Sequence, residues 1–201
     1  QRALAAAAAG WPDDDTDDTV AIQAAIDVAN AQSDGRVFVP AGVYRISSTL
    51  ILHTNSVFFG AARRIAEITY HDSWRPTDGH AVLLRTDDDD QATTFLGFLT
   101  LRVRNTGGDL GTNGASVYDR FDHVDWRAGR RSMIAAVQFE GEYLPPDMPT
   151  NPRVAIRFAG HGGGRHFFLT PDMFGGNEAS RQLLVEDTSE PLAFYGLNVE
   201  G

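Results

Sequence analysis

The chain has 201 residues, 42% of them hydrophobic, no cysteine, a formal net charge of −10 and a pI of about 4.9. Its length suits one domain with a continuous core, and no apolar run is long enough to span a bilayer. The acidic balance argues against non-specific nucleic-acid binding, and the absence of cysteine excludes disulfides and thiolate metal sites while leaving the compartment open. All 17 basic residues are arginine, as a GC-rich coding sequence or a salt-adapted surface would each produce.

In chain order, the Ala-rich start from Gln1 to Ala9 is too short for a full signal peptide. The Asp-rich run Asp13–Asp18 reads either as a calcium site or as a helix cap with a solvated acidic turn. It lacks the spaced ligand order of a calcium loop, which favours the cap. Asp17, Asp18 and Thr19 offer oxygens where a helix begins, and their charges suit the positive end of its dipole. Ile22, Ala25, Ile26 and Ala29 follow at i, i+3, i+4 and i+7, predicting one apolar stripe on a helix of roughly three turns. Val37–Val39, Val43–Ile46, Leu50–Leu52 and Val57–Phe59 are then brief strands, with a Pro40-Ala41-Gly42 turn between the first two. Strands this short, separated by corners, predict a chain winding around a solenoid, with the helix closing its open end.

After Gly60 the predicted strands are Ile65–Tyr70, Ala81–Leu84, Phe95–Val103, Val117–Trp126, Met133–Phe139, Val154–Phe158, Phe167–Thr170, Leu183–Val185 and Leu192–Val199. The near-continuous apolar run from Phe95 to Val103 implies burial on more than one side. Gly-containing corners recur at Asn105–Gly108, Glu140–Glu142, Ala159–Gly164 and Gly175–Asn177, as in stacked three-strand coils carrying insertions at one corner. Asp87–Asp90 reads as a solvated turn. Gly201 follows a strand directly, so the expectation is a single domain over 1–201 that forms the front portion of a longer protein, with 13–60 as cap helix and first coil. The C-terminal remainder or another subunit would then pack on the open coil end.

Asp17-Asp18-Thr19 with Ala21–Ile26, followed by Val39–Ile46, resembles the N-terminal signature of the pectate-lyase-like right-handed parallel β-helix superfamily. Val124–Ile134 and Leu192–Glu200 are similar to coils of the laminarinase-like exo-β-1,3-glucanases. The resemblance implies an all-β parallel β-helix with an N-terminal capping α-helix. It also implies a secreted or cell-surface bacterial protein acting on a polysaccharide, most directly as a glycoside hydrolase of β-glucanase type. The alternatives are a non-catalytic, tailspike-like glycan-binding β-helix, or a polyuronate lyase or epimerase. No cofactor is expected, except calcium in the lyase case.

Such proteins work on the outer face of one sheet. Two regions carry suitable residues. In Asp119–Arg127, Asp125 is a candidate catalytic carboxylate, with Asp122, Trp126 and Arg127 as sugar contacts; the competing reading is a salt-bridged corner with Trp126 buried. In Gln138–Tyr143, Glu140 and Glu142 would lie roughly 6.5 to 7 Å apart on one strand face, within the range of paired glycosidase carboxylates. Tyr143 is a stacking face beside them, and the competing reading is an exposed strand end. Arg127, Arg130 and Arg131 are also able to neutralise an acidic sugar or serve as an elimination base. His161-Gly162-Gly163-Gly164-Arg165-His166 matches neither the i, i+4 histidine spacing of zinc sites nor a phosphate loop, and reads as a flexible corner.

Overall fold

The computed structural model describes residues 4–5, 15–32, 35–74, 80–103, 120–141, 154–167, 173–174 and 181–196. A short strand β1 (Leu4–Ala5) and a helix α1 (Thr19–Asn30) precede a right-handed parallel β-helix. The first coil is β2 (Arg36–Val39), β3 (Gly42–Ile46) and β4 (Leu50–Leu52); the second is β5 (Val57–Gly60), β6 (Ala66–Tyr70) and β7 (His80–Thr86). The third is β8 (Phe95–Gly97), β9 (Thr100–Val103) and β10 (Arg120–Trp126); the fourth is β11 (Met133–Ala135), β12 (Gln138–Gly141) and β13 (Val154–Phe158). Next come β14 (Gly164–Phe167), β15 (Met173–Phe174), β16 (Arg181–Val185) and β17 (Leu192–Tyr195).

Each coil strand pairs in parallel with the strand three positions on. Sheet A has the order β1-β2-β5-β8-β11-β14-β17, sheet B β3-β6-β9-β12-β15 and sheet C β4-β7-β10-β13-β16. The register stacks like on like. Val37, Phe58, Leu96 and Ile134 are aligned inside sheet A, Tyr44, Ile68, Leu101 and Phe139 inside sheet B, and Leu50, Leu84, Val124 and Ile156 inside sheet C. All are buried, so one core runs along the solenoid axis. Among the connections between coil strands the longest, 71–79, 104–119 and 142–153, all join sheet B to sheet C.

Two predicted strands are each split in two. Phe95–Val103 and Met133–Phe139 turn from sheet A to sheet B at Phe98 (φ 56°) and Ala136 (φ 53°). A single left-handed residue makes each corner, and neither is the glycine that usually announces one. Conversely, Arg120–Trp126 is an unbroken strand where a partial corner was expected, and the bend begins at Arg127.

The helix anchors the first coil through its side chains. Asp17 Oδ1 accepts the Thr19 N–H at 3.0 Å, whereas Asp18, at the cap position, sends no side-chain bond to the helix. Its Oδ2 instead accepts the Arg45 N–H of β3 at 3.1 Å. Thr19 Oγ1 accepts the Ser47 N–H at 2.6 Å. Gln23 binds both backbone groups of Ile51 in β4, accepting at 2.9 Å and donating at 3.2 Å. These are the edge strands of sheets B and C, whose outward backbone groups have no strand to pair with. Ile22, Ile26 and Ala29 meanwhile bury the predicted stripe over the core. Gln23→Ala leaves the Ile51 edge groups to solvent and is expected to destabilise by about 1 to 2 kcal/mol, read as a fall of a few degrees in Tm by thermal unfolding.

His53, in the corner after β4, joins this cap to the next coil. Its Nε2 lies 3.0 Å from Asp27 Oδ1 on α1 and its Nδ1 3.2 Å from Asp87 Oδ2 after β7. Partial burial opposes its charge, but hydrogen bonds and attraction from the two carboxylates outweigh it and raise its pKa. A raised folded-state pKa contributes stability in full below the unfolded value of about 6.5, and that contribution is lost as pH rises through the folded value. The Tm difference between native protein and His53→Gln is therefore expected to be largest in mild acid and to shrink on passing to alkaline pH.

Candidate functional site

The outer face of sheet C and the corners leaving it carry a continuous charged network. Arg85, Asp125 and Arg157 are in register on β7, β10 and β13, on positions that alternate with the core residues Leu84, Val124 and Ile156. Asp125 is clamped between two guanidiniums, 3.0 Å from Arg85 Nε and 3.1 Å from Arg127 Nε, with its side chain 8% exposed. Arg127 Nη1 lies 3.7 Å from Asp88 Oδ2 in the corner after β7. Asp88 Oδ1 accepts the backbone N–H of His161 at 2.9 Å and lies 2.8 Å from its Nδ1. Three corners on successive coils thus meet at one place. Gly160 lets them do so: its φ is +60°, and a Cβ there would collide with the Asp88 carboxylate.

The electrostatics of the pair are cooperative. Burial alone would push the Asp88 carboxyl up, but the two bonds from His161 and the charge of Arg127 hold it below its usual range. The hydrogen bond to Asp88 raises the His161 pKa against a small desolvation effect. Facing a carboxylate, Nδ1 carries the proton, so Nε2 is the free nitrogen of a ring that is 50% exposed. An imidazole held this way can exchange a proton with a bound molecule, while Arg127 offers donors to an anionic group beside it and Arg157 stands on the next coil, in register with Asp125.

Sequence reasoning passed over both members of this pair. His161 was judged by its spacing to His166 inside a glycine run, and Asp88 as a solvated turn. The four aspartates in fact diverge: Asp87 serves His53 and Thr54, Asp88 serves His161, Asp89 serves Thr54 and Gln91, and Asp90 serves Gln91. Among the described residues no group of three or more acids and histidines is arranged to hold a metal ion. The glycine-rich corner is tight, since a Cβ at Gly164 (φ +121°) would run into the Ser132 carbonyl. His166 is sealed in the core, with Nδ1 accepting the Ile134 N–H at 3.1 Å and Nε2 facing the Gly163 carbonyl at 3.2 Å. Burial lowers its pKa to about 4, so it stays neutral.

The other predicted residues scatter. Asp125 and Arg127 sit together in the network. Asp122 is buried, accepting the Val154 N–H at 2.7 Å with Arg157 4.0 Å away, which makes it a strand fastener with no open face. Trp126 is fully buried, donates to the Gly163 carbonyl at 3.1 Å and meets the His166 ring edge-on; it packs in the core and has no face to offer a sugar. Glu140 lies on the outer face of sheet B, where Arg102 holds Oε2 at 2.6 Å and Gln138 holds Oε1 at 2.8 Å. Arg102 also lies 3.0 Å from Glu67, making an acid–base–acid ladder across β6, β9 and β12. Glu142 and Tyr143 lie outside the described residues.

Comparison with known proteins adds to this geometry. The family model described as rhamnogalacturonase A/epimerase, pectate lyase-like, matches residues 10–163. Mannuronan C5-epimerase AlgE3 of Azotobacter vinelandii is 41% identical over 66 residues, 29% of this chain and 4% of that protein. Alginate lyase 7 of the same organism is 41% identical over 69 residues, 31% of this chain and 8% of that protein. Among solved structures, PfbA, a surface adhesin of Streptococcus pneumoniae, gives a TM-score of 0.55 at 17% identity, covering 92% of this chain and 52% of the adhesin. The A-module of the Azotobacter vinelandii mannuronan C-5 epimerase AlgE4 gives 0.51 at 20% identity, covering 92% and 61%. The chain thus spans less than a tenth of these curated relatives' length, and at such identities the structural likeness is one of fold.

Proposed function

Since the chain belongs to the rhamnogalacturonase A/epimerase, pectate lyase-like family, we propose that it is a carbohydrate-active β-helix protein that removes the proton beside the carboxylate of a uronic acid unit in a polyuronate. The single observation that carries this reading is the exposed His161–Asp88 pair set next to Arg127 on the outside of the solenoid. The substrate carboxylate would lie against the guanidiniums of Arg127 and Arg157, whose charge favours the enolate that forms when the C5 proton leaves. Neutral His161 takes that proton on Nε2, and Asp88 keeps the ring oriented and stabilises the imidazolium. The electron pair left on C5 then either expels the O4 glycosidic oxygen, which takes a proton from solvent, giving a C4=C5 double bond, or takes a solvent proton on the opposite side of the ring, giving the C5 epimer. In both cases His161 returns its proton to solvent.

The relatives' names favour this chemistry over the glycan hydrolysis implied by the β-1,3-glucanase resemblance, since they name an epimerase and a lyase. Glu140 supports the same choice, because both its oxygens are engaged by neighbours. As polyuronates are extracellular polymers, the reading also places the protein's work outside the cell. Incubation with polymannuronate and polygalacturonate in D2O tests it. The expected result is an unsaturated, ultraviolet-absorbing product or deuterium appearing at C5. Release of reducing ends from a neutral β-glucan, with neither signal on any polyuronate, would overturn it in favour of hydrolysis.

A further inference from the structure

We propose that the β11–β14–β17 end of sheet A is a second glycan-binding surface, separate from the His161 network, which holds a stretch of anionic polysaccharide without acting on it. A groove of about 840 Å³ opens there, lined by Arg130 and Arg131 from the corner before β11, Arg165 of β14, Met133, Phe167 and Tyr195, among others. Phe167 and Tyr195 are in register on adjacent strands, stacked with centroids 4.8 Å apart and planes 12° from parallel. They are nevertheless 42% and 49% exposed, so an aromatic ridge stands open beside a trio of guanidiniums.

The arginines of this groove differ from most of those elsewhere on the solenoid, Arg36 excepted. Arg45, Arg85, Arg102, Arg127 and Arg157 each lie within an ion pair with a described carboxylate. Arg130, Arg131 and Arg165 form no such pair with any described carboxylate. Three guanidiniums without an ion-pair partner among the described carboxylates thus line one groove of a chain of net charge −10. Guanidiniums match planar carboxylates in a fork geometry, and an aromatic ridge suits the apolar edge of a sugar ring. The coil spacing of about 4.8 Å is close to the advance of one hexuronic unit along its polymer. Successive coils can therefore meet successive units, which a compact anion would not exploit. The corner carrying His161 leads directly into the strand carrying Arg165, so the two surfaces adjoin around one edge. The choice of a uronate polymer rests on the function proposed above; the binding itself is independent of turnover.

Isothermal titration of the folded protein with polyuronate oligomers checks the proposal. The double variant Arg131→Gln/Arg165→Gln is expected to bind them about tenfold more weakly and with a shallower salt dependence. Tyr195→Ala should weaken binding several-fold, and both variants should melt like the native protein and keep its turnover of short oligomers. A neutral β-glucan oligomer should bind the native protein far more weakly. Unchanged affinity in the double variant, absence of polyuronate binding, or equally tight binding of inorganic polyphosphate each overturns the proposal. Groove-dependent binding without any turnover sinks the His161 reading alone. Turnover with groove variants that bind normally sinks this one alone.

Discussion

Replacing His161 by glutamine is expected to lower polyuronate turnover by about 10² to 10⁴-fold, the range for loss of a general base, with little change in melting temperature. The ring is half exposed and its only side-chain bond among the described residues is to Asp88, so its removal opens no cavity. The affinity for oligomers should change far less than the rate, because Arg127 and Arg157 still meet the carboxylate. The pH profile separates this role from a structural one. His161 must be neutral to accept a proton, and its pKa is raised by Asp88. The acid limb of the rate profile should therefore lie above the ordinary histidine value of about 6.5. Asp88→Asn removes the carboxylate responsible, so the limb should move to lower pH while the plateau falls. Native kinetics from His161→Gln, or a limb that ignores Asp88→Asn, would remove the pair from the chemistry.

Trp126→Ala is expected to be the most damaging single truncation for the fold, at about 3 to 5 kcal/mol. In a chain of this length that is a Tm loss of roughly 6 to 20 °C. Trp126 is among the largest fully buried side chains, and its loss empties the core between β10 and the corner leading into β14. It also removes one of two donors to the Gly163 carbonyl, the indole N–H at 3.1 Å, leaving His166 Nε2 at 3.2 Å. Trp126→Phe keeps most of the volume and should be considerably milder. If Trp126 instead gripped a sugar, Trp126→Phe would weaken glycan binding and leave thermal unfolding unchanged, the reverse of the outcome expected here.

The fold was legible because its signature residues make the bonds that start the solenoid. Asp18, Thr19 and Gln23 belong to the motif that suggested a β-helix, and each holds an edge strand of the first coil. The strand count was harder. Phe98 and Ala136 turn the chain with left-handed backbones, and a phenylalanine or alanine inside an apolar run gives no sign of it. The site was least legible for a geometric reason. His161 and Asp88 lie 73 residues apart in sequence, brought together by coils whose lengths vary, so no fixed period points from one to the other. Asp125 and Arg127 were picked together because they share one strand end, and their side chains are in contact. Asp122 and Trp126, which alternate along the same strand, were counted with them although that strand is packed on both faces.

The sealing of the first coil also governs how copies of the chain can meet. A stack of parallel strands is a template, and an uncovered rim invites the next copy to add itself, which is the route to filaments. At the N-terminal rim that route is narrowed. β1 occupies the edge of sheet A, and the helix side chains occupy backbone groups of β3 and β4. A second copy adding strands to β3 or β4 would have to displace the helix side chains that already hold Arg45 and Ile51, so the cap that begins the solenoid also acts as its guard.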